Sequence, residues 1–383
     1  MSIRTIALRG ALAASAVLLG ILGGCTLPDG ATGALTYMGR YAEAAISGAY
    51  AVAVSPDGKH VYVTSTTPGA VAWFTRDAAG ALTYGDSHVD VNYLSFANSI
   101  AISPDGRHVY VTASNDDTLM WFARNDGTGA LTYLGRYTNS LIDDAVSVVV
   151  SPDGKHVYVA AWIADAVAWF SRNTDTGSPD FGKLTYLDRY QSSTTIDTPR
   201  CVAISPDGEH VYVGASTGGI PGGSTGTLAW FDRDPVSGAL TYVDKDTRTE
   251  TDGICSLAFS PTGTHVYATA QDIASVAWFS RDAGTGAATY GDRHYDISTL
   301  VTAQSVAVSP DGLNAYVAAG GSDTVAWFGR DSTSGDVAPL GAYSNVNIDH
   351  ARSLAVSPDG KNVYVASWTG FSGTDSVAWF RRD

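Results

Sequence analysis

The sequence predicts an all-β fold, a seven-bladed β-propeller of four-stranded antiparallel blades whose ring is closed by the N-terminal outer strand. Three observations carry this reading. Gly-Ala-Leu-Thr-Tyr begins at residues 33, 80, 129 and 238, with variants at Gly182, Gly286 and Gly335, so seven copies fill residues 33–383. A period of about 50 residues is that of propellers and solenoids. Every copy also holds Ser-Pro-Asp-Gly (from Ser55, Ser103, Ser151, Ser205, Ser309 and Ser357, with Ser260-Pro-Thr-Gly in the fifth), a Val-Tyr-Val-like run and Trp-Phe-x-Arg. None has a helical period.

In the first complete copy, alternation places strand a at 51–55, b at 61–65, c at 71–75 and d at 82–86. Pro-Asp-Gly reverses the chain from a to b, with Pro presetting φ and Gly accepting a positive φ. The d-to-a link is the longest, so the break between sheets belongs there. The chain begins in a d strand (35–40) and ends after a c strand (377–380), so its two ends must share one blade. That closure removes the open edges a ring would otherwise expose.

Strand a also shows how blades pack. One and three residues before each Ser stand large residues such as Val54 and Val52. Two and four before it stand small ones such as Ala53 and Ala51. A strand alternates faces, so each sheet has a bulky and a shallow face, and bulky must meet shallow around the ring to fill space.

Composition narrows the functional classes. The net charge of −15 opposes contact with a phosphate backbone, so no nucleic-acid partner is expected. Three cysteines with no Cys-x-x-Cys pair exclude a disulfide scaffold and a zinc finger. His60, His108, His156, His210 and His265 share one template position after the a-to-b turn. Packed sheets lie about 10 Å apart whereas zinc takes ligands at about 2 Å, so these are turn residues and no metal is expected. Nor does any motif call for a cofactor.

Residues 1–24 read as a targeting segment: Arg4 and Arg9, an apolar run over 11–22, then Leu22-Gly23-Gly24-Cys25. This resembles a bacterial lipobox, which implies Cys25 lipidated on its thiol, a tether over 25–32 and a propeller over 33–383. The expected location is the bacterial cell envelope, at the periplasmic side of the outer membrane or the cell surface, with the membrane touched only through the lipid and the protein monomeric.

The Val61-Tyr-Val-Thr-Ser65 run, the Ser-Pro-Asp-Gly turn and the seven copies together resemble Tyr-Val-Thr-Asn-type propeller repeats and the seven-bladed lactonase-like propellers, over essentially all of 33–383. These motifs are turn and core residues. They speak for the propeller, and poorly for an activity.

Subtracting the template leaves few candidates for function. Trp162 and Trp368 lie in b-to-c loops, on the face where strand a enters the central channel. Loops on a rigid scaffold carry ligand sites. That face also receives the variable residue five before each Ser: Tyr50, Asn98, Val146, Arg200, Cys255, Gln304 and Arg352. Two readings stand. In the first, Trp162, Trp368, Tyr50, Asn98 and Gln304 bind a small molecule or a protein partner. In the second, which the resemblance implies, a lactone hydrolase polarises a carbonyl and activates water with His350, Arg352, Arg200 and an acid such as Asp349 or Asp144. His350 alone of the histidines has no template counterpart, and it stands two residues earlier than the resemblance would place it. Gly222-Gly-Ser224-Thr-Gly226 matches a nucleophile-elbow pattern but lacks the strand-to-helix setting. Strict alternation sets Cys201 on a shallow face and Cys255 on a bulky one; both are expected to be free, buried thiols.

Overall fold

A computed structural model describes residues 32–217, 225–368 and 375–383. Seven antiparallel four-stranded sheets follow one another around an axis. Blade 1 is Ala49–Val54, His60–Ser65, Ala70–Arg76 and Leu82–Val89, lettered a to d from the axis outward. Blades 2 to 6 repeat it. Blade 7 takes strands a to c from Ala351–Val356, Asn362–Ser367 and Ser376–Arg382, and its outer strand from Leu35–Tyr41. That outer strand pairs from Leu35↔Arg382 to Tyr41↔Val377, so the chain ends do complete one blade.

The outer strands run past the sequence expectation, to Val89 rather than residue 86 in blade 1. The reason is a bulge opposite Trp73/Phe74, beyond which pairing resumes and extends the strand.

Bulky faces meet shallow ones as the alternation implies. Tyr110 and Trp121 of blade 2 pack against Val148, Val157, Val159 and Phe170 of blade 3. On the small face, a serine four residues before the turn accepts the next blade's N–H: Val148 to Ser99, Val202 to Ser147, Val306 to Ser256, Leu354 to Ser305 and Val52 to Ser353, each 3.2 Å.

The template histidines do more than turn the chain. Arg124, at the end of strand c in blade 2, donates to Tyr62 Oη (2.8 Å), Asp57 (2.9 Å) and His60 Nδ1 (2.6 Å) of blade 1, and to Gly106 O of its own turn. Burial and the Arg124 charge push His60 below its usual pKa, so its ring stays neutral and accepts. Arginines from the Trp-Phe-x-Arg motif repeat this staple on the face carrying the a-to-b turns, and leave the opposite face free for function.

Candidate functional site at the mouth of the channel

Each strand a contains a bulge near its start. Pairing passes from Pro199 to Cys201 in blade 4 and from Ala351 to Ser353 in blade 7, skipping Arg200 and Arg352. It likewise skips Asn98, Val146, Cys255 and Gln304, while blade 1 skips Tyr50 and Ala51. A bulge takes one residue out of the ladder and re-aims its side chain. The seven variable residues are therefore the seven bulge residues, and all of them line one cavity of about 510 Å³ at the channel mouth. Alternation alone assigned Cys255 to the bulky face. The bulge overrides it, and Cys255 Sγ lies beside Thr269 Oγ1 and Ala303 O, at 3.3 and 3.1 Å.

The rim comes from the corners leading into strand a. Gly48, Phe96, Asp144, Thr198, Gly253, Thr302 and His350, each seven before its turn Ser, all have positive φ between 46° and 76°. Several are pinned by the preceding blade: Asp117 accepts the N–H of Asp144 (2.9 Å), Asp165 that of Thr198 (2.9 Å), and Asp323 that of His350 (2.8 Å). His350 thus does have template counterparts, which their unlike side chains conceal in the sequence.

Of the residues singled out above, Tyr50, Asn98, Asp144, Trp162, Arg200, Gln304 and Arg352 line the cavity, joined by Phe96, Ser114, Asn115 and Gln271. Trp368 closes its side against Arg352 (4.9 Å), Phe96 (6.0 Å) and Tyr50 (6.1 Å). His350 and Asp349 are not among the lining residues. The His350 ring is half exposed, with Nδ1 2.8 Å from Asp349 and 3.8 Å from Asp323. These three side chains could converge on a cation, but the two carboxylates already hold the imidazole and a backbone N–H. Cys25 and the segment 222–226, apart from Thr225 and Gly226, lie outside the described residues.

Arg200 and Arg352 decide the electrostatics. Among the described residues neither makes a hydrogen bond or an ion pair, and the Nε of each is buried without a partner. Each instead lies over aromatic faces: Arg200 over Trp162 at 5.6 Å, and Arg352 over Tyr50 at 5.5 Å as well as Trp368. Other arginines in this chain, such as Arg172 and Arg233, are paired with aspartates. Across the cavity, burial pushes the Asp144 carboxyl above its usual range, opposed by a hydrogen bond from Ser114 and reinforced by Asp143 and Asp117. Burial pushes the Cys255 thiol up to about 11, so it is neutral at physiological pH. Cys201, buried in the cavity wall, and Cys255, only partly buried rather than buried as expected, are both free.

Sequence reasoning missed Phe96, Ser114, Asn115 and Gln271. Phe96 stood in plain view as a residue seven before Ser103, but only the shared positive φ reveals that position as a corner.

The comparisons agree with this architecture. A model of the family described as lactonase, 7-bladed beta-propeller, matches residues 26–146 and 149–302. No curated protein matches the chain. Among solved structures, a 6-phosphogluconolactonase-like protein of Bacteroides uniformis is 19% identical, with 79% of this chain and 89% of that one covered and a TM-score of 0.64. The periplasmic gluconolactonase of Pseudomonas aeruginosa is 19% identical, covering 78% and 85%, with a TM-score of 0.63. Kuenenia stuttgartiensis hydrazine synthase is equally similar, at 19% identity over 87% and 95% with a TM-score of 0.67. Proteins with such different names share a scaffold, and a scaffold does not specify chemistry. Matched over most of its length by the family model and built as seven closed blades, the chain belongs to the lactonase family of seven-bladed β-propellers.

Proposed function

We propose that this protein binds a small organic anion in the channel-mouth cavity. One observation carries the reading: in a chain of net charge −15, two arginines enter the same cavity and, among the described residues, neither forms an ion pair, although the Arg200 charge is felt by Asp272. A guanidinium pairs with planar oxyanions through two parallel N–H groups. The Trp162, Trp368 and Tyr50 rings hold these cations in place and offer flat faces to a ligand ring. Asn98, Gln271 and Gln304 add neutral hydrogen-bonding groups, and the volume suits a small molecule. Calorimetric titration with sugar acids tests this. Arg352→Ala should weaken binding at least ~10-fold, the order expected for a lost charge-assisted bond. Equal affinity in the variant would remove the site from this cavity.

A second reading, opening of a lactone ring, is favoured by Asp144 standing in the same cavity. Its carboxylate would take a proton from water, whose oxygen adds to the ring carbonyl. An arginine would stabilise the oxyanion, and the ring C–O bond would break as the proton passes to the leaving alkoxide. A lactone panel checks it: Asp144→Asn should abolish turnover while anion binding persists, and Arg352→Ala should lower turnover by ~100-fold or more. Turnover unaffected by either change would move the chemistry out of this cavity, and no turnover by the wild type would leave binding as the function.

Membrane attachment through Cys25 belongs to the same proposal, supported by the Leu22-Gly-Gly-Cys25 pattern. The outer strand Leu35–Tyr41 starts beside Arg382 on the stapled face, opposite the cavity. An anchor at Cys25 would then leave the cavity facing away from the bilayer. A Cys25→Ala protein that still incorporates labelled palmitate would refute the anchor.

A further inference from the structure

Resting on the reading of the cavity as an anion site, we propose that its ligand is an elongated dicarboxylate with a hydroxylated middle, such as a sugar diacid, and not a phosphorylated sugar acid.

The placement of the two cations argues for two ends. Arg200 and Arg352 rise from the inner strands Pro199–Ile204 and Ala351–Val356, in blades 4 and 7. The first of these strands packs chiefly on its neighbours in blades 3 and 5, and the second on those in blades 6 and 1. In a ring of seven, three steps is the greatest separation available, about twice the spacing of adjacent inner strands. Each arginine also has its own support, Trp162 for one and Trp368 with Tyr50 for the other. Their strands thus start the two arginines from opposite sides of the channel, with the Tyr50 hydroxyl near enough to feel both charges.

The space between them mixes apolar side chains such as Val146 and Phe96 with neutral polar ones, and among the lining residues it holds one acid. Asn98 and Gln304 are bulge residues of the intervening blades, and Asn115 and Gln271 stand on the rim. Asp144 offers acceptor oxygens to a ligand that donates, which a chain of hydroxyl groups does and an alkyl chain does not.

Charge then selects carboxylate over phosphate. The lining residues include two arginines and no lysine or histidine. The segments 218–224 and 369–374 contain no basic residue either. Two guanidinium groups can each take one carboxylate, and Asp144 with Asp272, which acts on Arg200, leaves no positive charge to spare for more. A phosphate carries about −1.5 to −2 at neutral pH, so a phosphorylated sugar acid would bring a third negative charge into a cavity that already holds Asp144. A lone guanidinium matches the planar carboxylate in two-point fashion, whereas it leaves part of a phosphate without donors.

Titration of the purified protein with four probes tests the proposal: glucarate, gluconate, adipate and 6-phosphogluconate. Glucarate should bind at least 10-fold more tightly than gluconate, which lacks the second carboxylate. It should also exceed adipate, which lacks the hydroxyl groups, and 6-phosphogluconate. Arg200→Gln and Arg352→Gln should each bring glucarate down to the affinity of gluconate, with an unchanged melt. Gluconate as tight as glucarate, two gluconates bound per chain, or 6-phosphogluconate tighter than glucarate would each overturn the two-ended dicarboxylate while leaving anion binding intact. Failure of all four probes would overturn both readings.

Discussion

The interface between blades 5 and 6 lacks a charge that every other interface has, and restoring it should stabilise the ring by a calculable amount. In six interfaces the motif arginine pairs with the turn aspartate of the preceding blade, at 2.6 to 3.0 Å. The seventh arginine, Arg330, meets Thr262 where that aspartate would be, and keeps only Tyr267 Oη, Gly312 O and His265 Nδ1. Arg330 is 4% exposed, so the cost of desolvating it is already met in the native protein. The equivalent aspartate side chains are 30–40% exposed and would keep part of their hydration. A hydrogen bond to a charged group contributes about 1.5–3 kcal/mol, and partial exposure places Thr262→Asp near the lower end, about 1.5 kcal/mol. The new carboxylate would also accept from its turn, as Asp57 does from Ser55 Oγ (2.5 Å) and Lys59 N (3.1 Å), and that gain is independent of the arginine. A double-mutant cycle separates the two contributions. Urea melts of wild type, Thr262→Asp, Arg330→Met and the double variant should give a coupling energy of about 1.5 kcal/mol. Additivity within about 0.5 kcal/mol would show that the turn, and not the pair across the interface, produces the gain, and would refute the staple as a source of stability.

Acid should unfold the ring through the same staples. Burial opposes ionisation of Asp57 and Asp153, but hydrogen bonds from the turn serine, the motif arginine and a backbone N–H prevail and hold both at about 2. A folded pKa below the unfolded one gives stability that is complete above the unfolded value near 4 and lost as pH falls toward 2. Chemical melts should therefore be flat above about pH 5 and decline below it, with a shallower decline in Asp57→Asn/Asp153→Asn; an identical acid limb in that variant would contradict the assignment. Deleting 33–41 should expose the strand Ser376–Arg382 and lower the melting temperature or cause aggregation, whereas an unchanged melt would mean that this strand does not hold the ring shut. Thiol titration of denatured, unreduced protein carrying Cys25→Ala should find two reactive groups, Cys201 and Cys255; none would mean a bridge between neighbouring blades.

The fold was legible because propeller geometry repeats its demands. A tight turn needs Pro and Gly, a blade interface needs a large residue opposite a small one, and seven repetitions expose both against the background of variation. The staple was half legible. Its histidine, tyrosine and arginine positions recur in the sequence, but the register that brings Arg124 to His60 across two blades joins residues 64 apart, which no local period encodes.

The site was legible in position and hidden in facing, and one local event accounts for both. The residues five before each Ser stood out because they vary where their neighbours do not, the mark of positions that packing leaves free. Strict alternation nonetheless aims Arg200, Cys255 and Arg352 into blade interfaces, where an unpaired guanidinium would be costly. A bulge at the same place in every inner strand turns these side chains into the channel instead. Its sequence signal is the set of unlike residues itself: no single interface would tolerate tyrosine, arginine, cysteine and glutamine interchangeably, so the position must face open space. The same reasoning separates His350 from Asp144. Both occupy the positive-φ corner, yet only Asp144 lines the cavity and His350 is held outward by Asp349. A histidine chosen for its chemistry alone was therefore the weaker guide, and the variable bulge position, chosen for its geometry, led to the arginines.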